Sequence, residues 1–221
     1  MDTGLVLRSA KWSLAAQVVF TLITASSLFL SYEMDERTLF ELSALETAAQ
    51  VVEFIYYLVA IFYYGAIRTW TRYLDWVVST PLMLTSTIAF LLYQADPTAG
   101  LAEVFEGSNL LPTLVVLTLN WVMLLAGFLV EVGATQYRTV TLSLGMVAFV
   151  GEFFVLYDNF VREAGPIGFG LFLFTYLVWG GYGIAASLTN DDLKNVSYNA
   201  LDVVSKNFYG LFLFAYALWV A

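Results

Sequence analysis

Hydrophobic residues fall into seven long runs along the chain, each flanked by polar or helix-breaking clusters. A helix that spans a bilayer needs about 20 mostly apolar residues, and each run has about that length. From first to seventh, the predicted spans are Ala10–Ser31, Leu39–Ile61, Trp70–Tyr93, Leu110–Val132, Val140–Phe160, Ile167–Leu188 and Val196–Val220. The pattern therefore predicts an all-α membrane protein, a seven-transmembrane-helix bundle that forms a single domain over residues 1–221.

Composition supports this prediction and narrows the chemistry. Charged residues make up 12% of the chain, whereas soluble domains carry about 25%. The sequence has no cysteine and no histidine, so disulfides, thiol catalysis and the usual zinc, haem and iron–sulfur ligands are excluded. The net charge of −9 argues against a nucleic-acid partner. We expect no metal site and no enzyme.

Ionisable side chains inside the predicted spans indicate a structural or functional role, because inserting each into the membrane costs at least about 2.5 kcal/mol. They are Glu46, Glu53, Asp75, Glu152, Asp202 and Lys206, with Arg72 near one end of the third span. Asp202 and Lys206 are four residues apart and share a helix face. A simple intrahelical ion pair would neutralise both. Alternatively, a buried lysine can form a Schiff base with a carbonyl compound, and Asp75 and Asp202 would then be its counter-ions.

Three motifs in three different spans carry a resemblance to a known family. They are RYLDWVVSTPLML at residues 72–84, Trp179-x-x-Tyr182, and LDVVSKNFYG at residues 201–210. Together they resemble the microbial (type-1) rhodopsins. The resemblance implies a central retinal pocket, with all-trans retinal as a Schiff base on Lys206. It also makes Asp75 the primary proton acceptor and Asp202 the second counter-ion, with Arg72 compensating the extra negative charge.

The resemblance also implies which side chains line the pocket, although each aromatic residue taken singly could be ordinary core. Trp76 and Trp179 would flank the polyene, Tyr182 would donate to Asp202, and Ser205 would place a hydroxyl near the Schiff base. The remaining expected pocket residues are Thr80, Met123 and Gly127. This chain departs from the family pattern at Leu142, Gly145, Gly183 and Ala186, where bulkier residues or proline are usual, so we expect a looser ring end.

The third span disfavours an efficient outward proton pump. The positions that sort pumps in this family are Asp75, Ser79 and Ser86. Fast reprotonation requires a carboxylic acid at the last position, and the Ser86 hydroxyl cannot supply a proton near neutral pH. Slow pumping is still compatible with this pattern.

The second span carries Glu46 and Glu53 seven residues apart, on one helix face. The acids could make structural interhelical contacts. They also resemble the glutamate row of the channelrhodopsins, in which acids line a cation path. That resemblance implies a gate of hydrogen bonds among Ser13, Glu53 and Asn207, with Gln17 one turn deeper than Ser13. We also expect Asn199 to line an extracellular vestibule. The channelrhodopsin resemblance further implies a hydrogen bond between Thr80 of the third span and Asn120 of the fourth. For Glu152 we expect a helix–helix hydrogen bond.

These features favour a light-gated cation channel similar to some viral rhodopsins. A weak light-driven outward proton pump and a sensory rhodopsin are the alternatives. The expected partners are membrane lipid and permeating cations or protons, and a homo-oligomer is compatible with the resemblance. The resemblance also places the N-terminus outside, against the positive-inside rule. Five cations would then lie outside and two inside: Arg8, Lys11, Arg68, Arg138 and Lys194 outside, and Arg37 and Arg162 inside.

Overall fold

The structure is a computed structural model, and it describes residues 3–63 and 67–220. Within these residues, seven helices are long and apolar enough to cross a membrane. They are α1 Thr3–Glu33, α2 Arg37–Tyr63, α3 Thr69–Ala95, α4 Leu110–Glu131, α5 Arg138–Val161, α6 Gly165–Ser187 and α7 Asp191–Val220. The predicted seven-helix, all-α class is therefore confirmed. The single-domain prediction also covers residues 1, 2, 64–66 and 221, which lie outside the described part.

The helix ends differ from the predicted spans mainly at α1 and α7. Helix α1 begins seven residues before Ala10, and α7 begins five residues before Val196. Asn190 caps α7, because its side chain accepts a hydrogen bond from the Leu193 amide. Hydropathy marks the part of a helix that lies in lipid, and polar helical turns continue beyond it.

Helix α3 lies at the centre of the bundle. Of its most apolar 18-residue window, 72% is buried, against 22% for the windows of α1 and α6. The outer faces of the other helices expose large apolar side chains such as Trp12, Leu22 and Phe154. Such a surface requires an apolar solvent, so it is the lipid-facing surface.

Within residues 3–63 and 67–220, π-helical turns occur in three helices: α2 at Val59–Tyr63, α5 at Tyr157–Val161 and α7 at Val203–Asn207. Such turns are rare and are frequent at functional sites. The turn in α7 contains Ser205, Lys206 and Asn207, so the backbone departs from a regular α-helix at the lysine that the motifs single out.

Candidate functional site

Lys206 is buried in the middle of the bundle and faces two carboxylates. Its Nζ donates to Asp75 Oδ2 at 2.6 Å, and Glu53 Oε1 lies 4.0 Å from the same nitrogen. Lys206 is 1% exposed, Asp75 2% and Glu53 0%. A buried charge is tolerated when it is paired, so the positive amine and the negative carboxylates reduce the cost of burying one another. Glu53, expected only in an ion path, thus also belongs to the surroundings of the lysine.

Asp202 has a different partner. Arg72 Nη1 donates to Asp202 Oδ2 at 2.9 Å, and both side chains are fully buried. Among the described residues, no ion pair within 4.0 Å joins Asp202 to Lys206, so the alternative of a simple intrahelical pair is wrong. The one-turn spacing places both on one face of α7, but their head groups turn towards different helices.

Aromatic donors hold the Asp202 carboxylate in place. Tyr182 Oη donates to Asp202 Oδ1 at 2.8 Å, as expected, and Trp76 Nε1 donates to the same oxygen at 3.4 Å. Tyr57 Oη donates to the other oxygen, Oδ2, at 2.7 Å. Tyr57 was missed from the sequence, although it lies one turn after Glu53 on the buried face of α2. The Tyr182 hydroxyl also shares a hydrogen bond of 2.8 Å with Ser205 Oγ.

Arg72 ties this cluster to the Asn190 end of α7. Its guanidinium donates to the Asn195 main-chain oxygen at 3.2 Å and to Asn199 Oδ1. Asn199 Nδ2 donates in turn to Ser9 Oγ of α1 at 2.7 Å. Asn199 is 2% exposed, so it closes this end of the bundle as part of a network and does not line an open vestibule.

A cavity of about 420 Å³ extends from Lys206 between α3, α4, α5 and α6. All eight residues expected at a retinal pocket line it: Trp76, Thr80, Met123, Gly127, Trp179, Tyr182, Ser205 and Lys206. A void of this size in a close-packed interior is a ligand site, and its flat aromatic walls with a few aimed polar groups suit an elongated apolar molecule. The residues present therefore fit retinal, with the amine of Lys206 at one end.

The four positions at which the chain departs from the family pattern all belong to the cavity wall. Leu142, Gly145, Gly183 and Ala186 all line it. A Cβ added at Gly183 would lie 2.8 Å from Met146 Cε, so the glycine lets Met146 approach the wall. Gly127 of α4 allows Tyr73 to pack against it, because a Cβ at Gly127 would overlap the phenol of Tyr73.

Helix α3 makes two further polar contacts with neighbouring helices. Asn120 Nδ2 of α4 donates to Thr80 Oγ1 at 2.8 Å, which is the contact expected between these two helices. Ser86 Oγ and Tyr209 Oη lie 3.1 Å apart, and either can donate. An alcohol and a phenol therefore meet at the position where an efficient pump needs a carboxylic acid.

The expected gate of hydrogen bonds is not formed. Ser13 Oγ accepts from Gln17 Nε2 at 3.1 Å, while the side-chain polar atoms of Glu53 and Asn207 have no hydrogen-bond partner among the described residues. The three residues are nevertheless all buried on the facing sides of α1, α2 and α7. The expected direct bonding among them is wrong in this structure, and their place in an ion path stays a prediction.

A row of buried polar side chains runs along these three helices, and we call it the polar seam. Its members from α1 are Ser13, Gln17, Thr24, Ser27 and Ser31; from α2, Ser43, Glu46, Gln50 and Glu53; and from α7, Asn207. Each is at most 3% exposed. Both carboxylate oxygens of Glu46 and of Glu53 lack a hydrogen bond within the described part of the chain. Such atoms at bilayer depth require water, a proton or a cation.

Glu152 of α5 lies apart from the seam. It is 0% exposed, and neither carboxylate oxygen finds a hydrogen-bond partner in residues 3–63 or 67–220. The expected helix–helix hydrogen bond is therefore wrong. Buried neighbours on its own helix are Phe149, Phe153 and Leu156, which offer no hydrogen-bonding group.

Fold and site together define a seven-helix integral membrane protein with a buried amine at the end of an apolar, aromatic-walled cavity. The profile of the bacteriorhodopsin-like protein family matches residues 9–220, and the chain belongs to that family. Members of this family bind retinal through a Schiff base with a lysine, so the chain is a microbial rhodopsin with retinal as its cofactor.

Solved structures of other rhodopsins share the fold. The viral rhodopsin OLPVRII is 24% identical with a TM-score of 0.85, and the alignment covers 98% of this chain and 99% of that one. The light-driven proton pump of Coccomyxa subellipsoidea is 19% identical, with a TM-score of 0.76 and 97% of both chains covered. Bromide-bound halorhodopsin from Halobacterium salinarum is 18% identical, with a TM-score of 0.77 and coverages of 96% and 93%. No curated protein sequence matches the chain.

Proposed function

We propose that this rhodopsin is a light-gated cation channel whose retinal is attached to Lys206. The observation that carries the proposal is the polar seam, in which buried acids, amides and hydroxyls run along α1 and α2 and meet Asn207 of α7, with many polar atoms lacking a hydrogen-bond partner among the described residues. Lipid cannot satisfy these groups, so the seam is built to be hydrated. Rows of acids in a hydrated route select cations.

The retinal site provides the trigger. Retinal bound to the lysine amine supplies light absorption followed by double-bond isomerisation. Asp75 Oδ2, at 2.6 Å from Lys206 Nζ, is the group placed to take a proton from that nitrogen. Glu53 lies at 4.0 Å on the other side, so a change of charge at Lys206 acts directly on an acid of the seam. This proximity couples the cofactor site to the ion route.

Recovery is expected to be slow. Ser86 and Tyr209 form the polar contact on the other side of the lysine from Arg72, and neither supplies a proton readily near neutral pH. A weak outward proton pump is the second candidate, favoured by the direct Asp75–Lys206 hydrogen bond. In that case charge would move only through Asp75 and the Arg72 network, and the seam would carry no current.

The proposal extends to the arrangement in the membrane. The whole chain acts as one domain, its permeating species are cations or protons, and its N-terminus is extracellular. Single cysteines at Thr135 and at Thr98 report the orientation, because the chain has no other cysteine. An impermeant maleimide added to intact cells should label the cysteine at position 135 and spare that at position 98. The reverse labelling would invert the orientation.

The test is the current–voltage relation under illumination, measured at two external pH values and with external sodium replaced. A channel current reverses near a cation equilibrium potential, and the reversal moves with the permeant ion. A current that keeps one sign at all voltages would indicate a pump. The absence of any light-induced current would indicate a sensor.

Two variants sharpen this test. Lys206→Ala should abolish both the visible band and the current. Glu53→Gln should change the reversal potential or the opening kinetics, whereas Glu152→Gln, which removes a buried acid away from the seam, should leave the reversal potential unchanged. Equal behaviour of the two glutamine variants would contradict a cation route through the seam.

A further inference from the structure

Gln50 is the ordered group in the middle of the polar seam. It lies between Glu46 and Glu53 on the buried face of α2 and is 0% exposed. Its Nε2 donates to Thr24 Oγ1 of α1 at 3.1 Å and to the main-chain oxygen of Lys206 at 3.1 Å. Both hydrogens of the amide are therefore used, and the side chain is fixed between α1 and α7.

The acceptor on α7 is a part of the backbone that can respond to the cofactor. Lys206 lies in the π-helical turn Val203–Asn207, and its carbonyl oxygen has two lone pairs, so it can accept the Gln50 amide in addition to a helix bond. Any movement of this turn changes the distance between the carbonyl and Gln50. A structural change at Lys206 can therefore affect α2 through the Lys206 main-chain carbonyl as well as through Glu53.

Gly210, one turn after Lys206, makes this contact possible. A Cβ at Gly210 would overlap Thr24 Oγ1 and Gln50 Nε2, and it would lie 3.0 Å from Thr24 Cγ2. The three helices therefore approach one another closely here. Because Gln50, Glu46 and Glu53 are all fully buried, the seam is closed at this level.

We infer that Gln50 is the latch of the seam: its amide, held by Thr24 and by the Lys206 carbonyl, separates Glu46 from Glu53 and keeps the route closed until the α7 turn moves. The inference rests on the proposed channel function. Gln50 is a positioning residue in this scheme, because it touches the lysine backbone and not the lysine nitrogen.

The hydrogen bond itself is testable without light and without retinal. The chain has three lysines, Lys11, Lys194 and Lys206, so lysine labelled with ¹³C at the carbonyl gives a simple infrared amide I pattern. In Gln50→Leu, one of the three labelled bands should move to higher wavenumber, in the retinal-free protein as well as in the pigment. Gln94→Leu, which removes a glutamine that donates to Tyr216, is the matched control and should leave the labelled bands in place.

The gating consequence is tested by patch clamp. In Gln50→Leu the dark leak should rise and closing after a light pulse should slow by about two- to tenfold, the factor that a single intramolecular hydrogen bond represents in an equilibrium. Gly210→Ala should act in the same direction, because its methyl group displaces the amide while leaving Gln50, Thr24 and Lys206 in the sequence. This second variant preserves the test if the leucine variant does not fold.

The outcomes distinguish a failure of the proposed channel function from a failure of the proposed role of Gln50. A wild-type protein that passes no reversible light current overturns the channel, whatever the infrared result. A wild-type channel in which Gln50→Leu and Gly210→Ala close as fast as Gln94→Leu overturns the latch and leaves the channel intact. Unshifted labelled bands in Gln50→Leu overturn the hydrogen bond from which the latch was inferred.

Discussion

Replacing Arg72 by glutamine should destabilise the protein more than any surface-charge substitution. Arg72 and Asp202 are both fully buried, and their head groups are 2.9 Å apart. Removing one partner of a buried ion pair leaves an uncompensated charge and typically costs about 3–5 kcal/mol. For a chain of this size, each kcal/mol lowers the unfolding midpoint by about 2–4 °C, so a fall of about 6–20 °C is expected.

The assay is thermal loss of the visible pigment band in a lipid nanodisc at a fixed heating rate, because membrane proteins commonly unfold irreversibly. Arg162→Gln is the matched control. Arg162 also pairs with an aspartate, Asp158, but the two side chains are 62% and 40% exposed. An exposed pair contributes about 0–1 kcal/mol, so this control should shift the midpoint by at most about 4 °C.

A second arm isolates the charge. In the double variant Arg72→Gln/Asp202→Asn no buried charge is left alone, so its midpoint should lie above that of Arg72→Gln. If Arg72→Gln costs no more than Arg162→Gln, or if the double variant unfolds at a lower temperature than the single one, Arg72 does not neutralise Asp202 in the bundle.

Two further predictions concern the pocket. Ser205→Ala should move the absorption maximum to longer wavelength, because it removes a hydroxyl near the lysine nitrogen. The control Ser187→Ala changes an exposed serine that also lines the cavity and should leave the maximum in place. An unchanged maximum in Ser205→Ala would contradict the prediction. Asn120→Leu removes the hydrogen bond to Thr80, worth about 0.5–1.5 kcal/mol, and should lower the midpoint by about 1–6 °C. Asn159→Leu, at an exposed position, is its control, and equal shifts would refute the assigned contact.

The number of helices could be predicted from local sequence information, whereas the pocket was predicted from the resemblance to the microbial rhodopsins. A run of about 20 apolar residues is sufficient to predict a span. The three motifs lie on three spans, and a helix brings residues at spacings of three and four to one face. The resemblance supplied the step from three separate helices to one site, and in the structure Trp179 and Lys206 line one cavity while Asp75 accepts from Lys206.

Helical spacing alone does not predict interhelical partners, because they depend on how each helix is rotated and how deep it sits; the Tyr182–Asp202 and Asn120–Thr80 contacts were expected only from the resemblance. Asp202 was expected as the second counter-ion with Arg72 compensating its charge; it bonds Arg72 directly, while the described ion pairs of Lys206 are with Asp75 and Glu53. A usable signal existed for Asn195: with Asn199, Asp202 and Lys206 it follows spacings of four, three and four along one face of α7. For Gln50 the signal was equally plain, since it lies on the same face as Glu46 and Glu53.

Under the proposed channel function, the chemistry of the polar seam favours cations over protons as the transported species. A proton relay needs titratable groups joined by hydrogen bonds, and Ser86 and Tyr209 form the contact where a pump would place its acid. The seam contains Gln17, Gln50 and Asn207, whose amides do not titrate but whose oxygens are good ligands for hard cations. The family fold serves a proton pump and a bromide-bound halorhodopsin equally well, so transport must be determined by the side chains. With the Gln50 amide between its two acids and oxygens without a hydrogen-bond partner in the described residues, the seam favours the proposed passage of hydrated cations over a proton relay.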